Sequence, residues 1–173
     1  MLGTARRFSG SNTALTVPTA ARLTPSRFTM RAWVRLQAYP SNFGIVAANY
    51  GGNYQGWFAA VRSDGRVIVS QGRLPGSALW TVSNTPLALN RWYHLTITFD
   101  GWLRQLKIYV DGALDKQDAL LGLTPQTAGV FTAGKSSWHN GYYLNFDLDE
   151  LRLTPTALSA VQVQSDFASF PAQ

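Results

Sequence analysis

Apolar and polar residues alternate with a period of two along most of this chain, most regularly over residues 91–112. Tyr93, Leu95, Ile97 and Phe99 interleave with Trp92, His94, Thr96 and Thr98, giving one apolar side and one mixed side. Successive side chains of a strand point to opposite faces, whereas a helix would repeat its apolar positions every three or four residues. Asp100-Gly101 predicts a turn, because glycine reaches positive φ without steric cost. Leu106, Ile108 and Val110 then form a second alternating strand that ends at Asp111-Gly112, a hairpin signal.

The same reading predicts strands at 4–8, 14–17, 28–36, 43–50, 55–62, 67–71, 80–83, 92–99, 106–110, 113–119, 130–133 and 144–154. Turn pairs such as Ser9-Gly10, Tyr39-Pro40, Gly51-Gly52, Asp64-Gly65 and Asn140-Gly141 separate many of them. A dozen short strands at this spacing predict an all-β chain folded as a two-sheet antiparallel jelly-roll sandwich. One short helix is expected near the end, where Ser159 and Gln162 have capping-box spacing, before Phe170-Pro171.

Length makes a single domain over residues 1–173 the expectation. A chain of this size buries roughly 70% of its unfolded surface, so it folds without disulfides. It has no cysteine, which excludes thiol catalysis and cysteine-held metals. Fifteen basic residues, twelve of them Arg, face nine acidic ones, and Glu150 is the only Glu. The net charge of +6 suits phosphate, acidic polysaccharide or an anionic membrane. No run of five basic residues occurs, so no specific nucleic-acid partner is expected. No run of 18 apolar residues occurs either, and membrane insertion is not expected. The opening MLGTARRF lacks the apolar region of a signal peptide. Two settings fit: a domain excised from a longer extracellular or cell-surface protein, or a virion component if Met1 is the native start.

Four segments, in order, resemble the laminin G-like, concanavalin A-like lectin/glucanase jelly-roll family in its bacterial and phage form. They are Arg7-Phe8-Ser9-Gly10 with Leu15-Thr16-Val17-Pro18, and Phe28-Thr29-Met30-Arg31-Ala32-Trp33-Val34. The third runs from Trp92-Tyr93-His94 to Tyr109-Val110-Asp111-Gly112, and the fourth is Leu148-Asp149-Glu150-Leu151-Arg152-Leu153 with Ala157-Leu158-Ser159. The resemblance implies the jelly-roll fold, on which lectins, hydrolases and adhesion modules are all built. It also implies a calcium site in some members, joining the first-strand loop to the acid of the closing Asp-Glu pair. Asp149 holds that second position; Ser9 stands where an Asp is common, with Asn12 nearby. Calcium is thus an expected cofactor with Ser9, Asn12 and Asp149 as its ligands, weakened by the missing carboxylate.

Laminarinase-type enzymes similar to this family carry Glu-x-Asp-x-Glu, three acids at period two. The corresponding positions here are Asp147, Asp149 and Leu151, so the third acid is absent, and strict alternation turns Glu150 to the opposite face. Retaining hydrolysis needs an acid and a nucleophile about 5 Å apart. The chain is therefore read as a non-enzyme. His94 lies within a strand and is read as structural, and no Gly-x-Ser-x-Gly turn activates a serine.

Aromatic residues are abundant, and sugar faces stack on rings while amides bond the hydroxyls. Trp33, Trp57 and Trp92 are expected in the core. Trp80, Trp102, Trp138, Tyr142 and Tyr143 fall in or beside loops. Two segments mix rings with amides: NYGGNYQ, offering Asn49, Tyr50, Asn53, Tyr54 and Gln55, and KSSWHNGY, offering Trp138, His139, Asn140 and Tyr142. The expected function is a non-catalytic module that binds carbohydrate or a surface protein. The alternatives are a structural or decoration protein of a virion or cell surface, and, more remotely, a glycoside hydrolase. Shallow sites need several copies to bind well, so a homo-oligomer or a multi-domain or virion assembly is expected.

Overall fold

Every predicted segment becomes a strand in the computed structural model, which describes residues 4–18, 25–52, 55–74, 77–120, 129–138 and 140–170. The strands are β1 (Arg6–Ser9), β2 (Leu15–Val17), β3 (Arg27–Leu36), β4 (Phe43–Gly52), β5 (Gln55–Arg62) and β6 (Arg66–Leu74). They continue as β7 (Ser77–Pro86), β8 (Trp92–Asp100), β9 (Gln105–Val110), β10 (Ala113–Ala119), β11 (Phe131–Ala133) and β12 (Asn145–Thr154). β6 and β7 exceed their predicted lengths because pairing continues through Gly72 and Ala78, where no large side chain signals a strand.

Two six-stranded antiparallel sheets result. Sheet A runs β1-β12-β3-β8-β9-β10, and sheet B runs β2-β11-β4-β5-β6-β7. The inner faces supply the core, in which Phe28 of sheet A meets Trp57 of sheet B at 4.9 Å. Phe99 stacks on Phe28 at 5.3 Å, and Phe8 on Phe146 at 4.8 Å. Each such ring, fully buried, contributes about 2–3 kcal/mol. Asp111 and Gly112, with φ of 50° and 78°, make the tight turn their dipeptide predicts between β9 and β10.

Among the register shifts, those in β4 and β12 change which face the expected site residues take. In β4 the register slips between Ile45 and Ala47, so that Val46 and Ala47 both join the inter-sheet core while Ile45 and Ala48 face outward. In β12 it slips between Asp149 and Arg152, with Glu150 at φ 51°.

The C-terminal helix α1 (Ala160–Ala168) starts with the predicted capping box of Ser159 and Gln162. It lies on the outer face of sheet A. There Trp33, 3% exposed, packs against Phe167, Phe170 and His94 with ring centroids 5.2–5.9 Å apart. Trp33 is buried as expected, but under the helix and not between the sheets. Trp92 corrects the core expectation more fully. It is half-buried on the same outer face, with the Arg35 guanidinium 4.9 Å from its ring, because Tyr93 takes the inward position. Arg31 bonds Asp166 of α1, and His94 Nε2 lies 3.6 Å from the same carboxylate. Burial lowers the His94 pKa below the ordinary 6.5, outweighing the attraction of Asp166.

The far edges of the two sheets are joined by Asp115, which a register shift in β10 directs toward β7. Its carboxylate accepts the backbone N–H groups of Asn84 (2.6 Å) and Thr85 (3.0 Å). Its carbonyl accepts Asn84 Nδ2 at 2.6 Å.

Asp115→Ala should therefore destabilise the fold by about 1–2 kcal/mol, as both N–H groups lose their acceptor. Chemical denaturation checks it, and a midpoint equal to the parent's would refute the joint.

His94 generates a pH prediction. The unfolded imidazole takes a proton near 6.5 while the folded one resists it, so stability is full above that range and falls as pH drops through it. The melting temperature should decline between about pH 7 and about pH 5, and His94→Gln should flatten that decline.

Candidate functional site

The segment after β11 is built by its small polar residues. Gly134 turns the chain at φ 83°, where a side chain would strike the Phe8 ring. Thr132 Oγ1 donates to the Lys135 carbonyl (2.9 Å), the Ser136 N–H donates to the Gly141 carbonyl (3.1 Å), and Ser136 Oγ accepts the Trp138 N–H (3.2 Å). Ser137 ties this loop to the end of β4: its Oγ accepts the Tyr50 N–H at 3.3 Å and donates to the Tyr50 carbonyl at 2.9 Å. The two ring-and-amide segments singled out in the sequence thus meet. β4 and β5 approach closely there because residue 56 is glycine (φ 94°), and a Cβ would stand 2.1 Å from the Asn49 carbonyl oxygen.

The meeting place is the outer face of sheet B, which is aromatic and not polar. Trp138 lies 4.6 Å from Tyr50 and 5.2 Å from Phe58, and Tyr142 stacks on Phe43 at 4.1 Å. Trp80 of β7 meets Phe58 edge-on at 5.7 Å and remains 47% exposed. Ile45, Ala48, Ala60 and Ile68 floor the cluster. A cleft of about 410 Å³ opens on one side of the loop between Thr16, Thr132, Lys135, Ser137, Trp138 and Asn140. A second, of about 380 Å³, opens on the other between Ser9, Tyr39, Asn42, Tyr142, Tyr143 and Asn145.

The expected ligand residues separate into groups. Trp138 and Tyr142 are half-buried on this face, and Gln55 is half-buried at the start of β5. Asn140 is exposed, and its Oδ1 accepts the Tyr143 hydroxyl at 2.8 Å. Tyr50, 7% exposed, supports the other rings and is not itself a platform. Asn49 is a correction: it is fully buried and paired with Trp57, because the β4 bulge turns it inward. Asn53, Tyr54 and His139 lie outside the described residues. Trp80 is the residue that the ring-and-amide criterion omitted. The signal was its period-two spacing with Val82, which packs on the same face.

The acidic segment serves the scaffold. Asp147, 5% exposed, accepts from Arg7 Nη1 (3.2 Å), Arg35 Nε (2.9 Å) and Gln37 Nε2 (2.7 Å), and so ties β1, β12 and β3 together. The β12 bulge corrects the predicted faces beyond it: Leu151 packs toward the core and not beside Asp149, and the Glu150 carboxylate bonds Arg152. Ser9, Asn12 and Asp149 do not converge as calcium ligands. Ser9 pairs with Asn145, four residues from Asp149 and roughly 13 Å away along the strand. Ser9 Oγ bonds Thr13 at 2.9 Å, Asn12 is exposed, and Asp149 Oδ1 accepts the Glu150 N–H at 2.9 Å. Among the described residues no group of three or more His, Asp or Glu side chains could hold a metal ion. This ligand set does not fit calcium.

Solved structures place the fold among known ones. The binding domain of a paraclostridial mosquitocidal protein aligns with a TM-score of 0.79 at 17% identity, covering 95% of this chain and 43% of that one. A botulinum neurotoxin type C structure, described as depending on two ganglioside molecules for cell entry, gives 0.75 at 14%, covering 96% and 45%. A Trypanosoma rangeli sialidase bound to 2,3-difluorosialic acid gives 0.73 at 18%, covering 97% and 28%. The chain thus spans less than half the length of each. No curated protein sequence matches it. Residues 9–164 match the Laminin_G_3 model, and this jelly roll belongs to the concanavalin A-like lectin/glucanases superfamily.

Proposed function

We propose that this chain is a non-catalytic carbohydrate-binding module whose site is the outer face of sheet B. The observation that carries the reading is the placement of Trp80 and Trp138 against one ring, Phe58, on one face. Trp80 offers an exposed indole edge and face, while Lys135, Ser137 and Asn140 line the adjoining cleft. A pyranose presents apolar C–H groups on its faces and hydroxyls around its rim, so rings supply affinity and amides set orientation. The toxin described with gangliosides and the sialidase described with a sialic acid analogue share this fold, which supports a sugar-directed reading at the level of ligand class.

The acids support the non-catalytic reading. Both Asp147 oxygens are bonded by cationic and amide side chains, and Asp149 on the same face has one oxygen taken by the Glu150 N–H. Position 151, where a third acid would stand, is a Leu that packs toward the core. Such a module acts where glycans are displayed, outside cells or on a virion surface. Its shallow face would gain affinity through several copies, in an oligomer or a longer parent chain.

On a glycan array, the protein displayed in multivalent form should bind a discrete glycan set and hydrolyse none of it. Trp80→Ala should weaken every ligand about fivefold to tenfold, corresponding to roughly 1 kcal/mol for one ring. Asn140→Ala should instead alter the rank order among glycans. An empty array from correctly folded protein would sink this reading in favour of a structural surface protein. Turnover abolished by Asp147→Ala or Asp149→Ala would restore the hydrolase.

A further inference from the structure

The hairpin between β8 and β9 has a composition that neither the sandwich nor the sugar face requires. Its tip carries Trp102 and Leu103, adjacent in sequence and 76% and 67% exposed. Folding gains nothing from leaving two large apolar side chains in water side by side. The tip is also held in shape. The Asp100 carboxylate accepts the N–H groups of Trp102 and Leu103, both at 3.0 Å, and Arg27 Nη2, also at 3.0 Å. Burial alone would raise the Asp100 pKa, but the Leu103 N–H, Arg27 and the Trp102 N–H together lower it. The carboxylate therefore stays ionised and turned inward. Arg27 also lies 4.5 Å over the Trp102 ring, which fixes the indole.

Around the tip, cationic and apolar side chains share the surface with the neutral Thr98, Gln105, Ser159 and Gln162. Arg104 is exposed in the turn. A cleft of about 320 Å³ behind the tip is lined by Arg27, Leu103, Lys107 and Leu158. The same cleft is walled by Ala160 and Gln162 of α1, whose first turn has no acid and leaves Val161 75% exposed. Asp118 on the neighbouring β10 is paired with Lys116 at 3.5 Å.

We propose that this tip is an anchor for anionic phospholipid surfaces, with Trp102 and Leu103 entering the headgroup layer, Arg104 and Lys107 meeting lipid phosphates, and Arg27 holding the indole in place. The occupant follows from shape and charge. A convex tip of two side chains is far smaller than the roughly 800 Å² per partner of a stable protein interface. Indole rings flanked by Arg and Lys match the boundary between headgroups and acyl chains, where the indole prefers to lie and each cation gains from anionic lipid. The overall charge of +6 would draw the protein to such a surface from a distance. The contact is shallow, and no helix among the described residues is long and apolar enough to cross a membrane.

Co-sedimentation with large vesicles tests it, using phosphatidylcholine alone and about three parts phosphatidylcholine to one part phosphatidylserine. The full chain should sediment with the anionic vesicles, weakly or not at all with the neutral ones, and less as salt rises. Trp102→Ala with Leu103→Ala should lower binding at least about tenfold while melting like the parent, since neither side chain is buried. Trp102→Phe should retain most of it, and Arg104→Gln with Lys107→Gln should erase the preference for anionic lipid. No sedimentation with anionic vesicles overturns the proposal, and so does equal binding by the Trp102/Leu103 double variant. If the parent is a dimer without lipid and the double variant a monomer, the tip joins two copies and the proposal is also overturned.

Discussion

The meeting of Phe28 and Trp57 across the two sheets is the joint on which the rest of the molecule depends. Each sheet contributes one ring, Phe99 stacks behind the first, and Phe131 approaches the second at 6.2 Å. Around them Ala32, Ala47 and Ala59 keep the layers close. Large aromatics beside small residues let two twisted sheets interdigitate at native density without voids. Because the inner faces are used up by this packing, what distinguishes the protein is carried on its outer faces and hairpins. Sheet A is roofed by α1, and sheet B bears a second cluster of rings.

The strands were legible because alternation is a local signal. Leu95, Ile97 and Phe99 announce an inward face whatever lies across from them. The misplaced faces of Asn49 and Leu151 have a common origin in the bulges, which no residue type announces at these positions. One extra residue in β4 turned Asn49 from the surface into the interior, and one in β12 turned Leu151 from the acidic face into the core. A single slip reverses every later side chain of its strand. The tryptophans err for another reason. Trp33 and Trp92 lie on the same outer face, and only the arrival of Phe167 and Phe170 from a distant helix buries one and not the other. The loops that meet at Tyr50 and Trp138 were recognised by composition, whereas their joining by Ser137 is a tertiary fact.

The acidic segment is bound into the sheet by its neighbours. Where enzymes similar to this family align carboxylates for chemistry, Asp147 gathers Arg7 and Arg35 from its two neighbouring strands and Gln37 from just beyond β3. A carboxylate nearly excluded from water and surrounded by donors holds strands in register. That holds β1, β12 and β3 together as one layer.

The Asp115 clasp has a consequence beyond the stability of one molecule. An outermost strand normally displays unpaired N–H groups, and another chain can use them as a template for adding strands. In β7, the N–H groups of Asn84 and Thr85 are occupied from within by a side chain of the opposite sheet. The same residue supplies the irregularity that interrupts β10, the outermost strand of sheet A at this side of the sandwich. Copies crowded side by side on a surface would therefore find this side of the sandwich a poor template for strand addition, and any such pairing would fall to β1 and β2 at the other side.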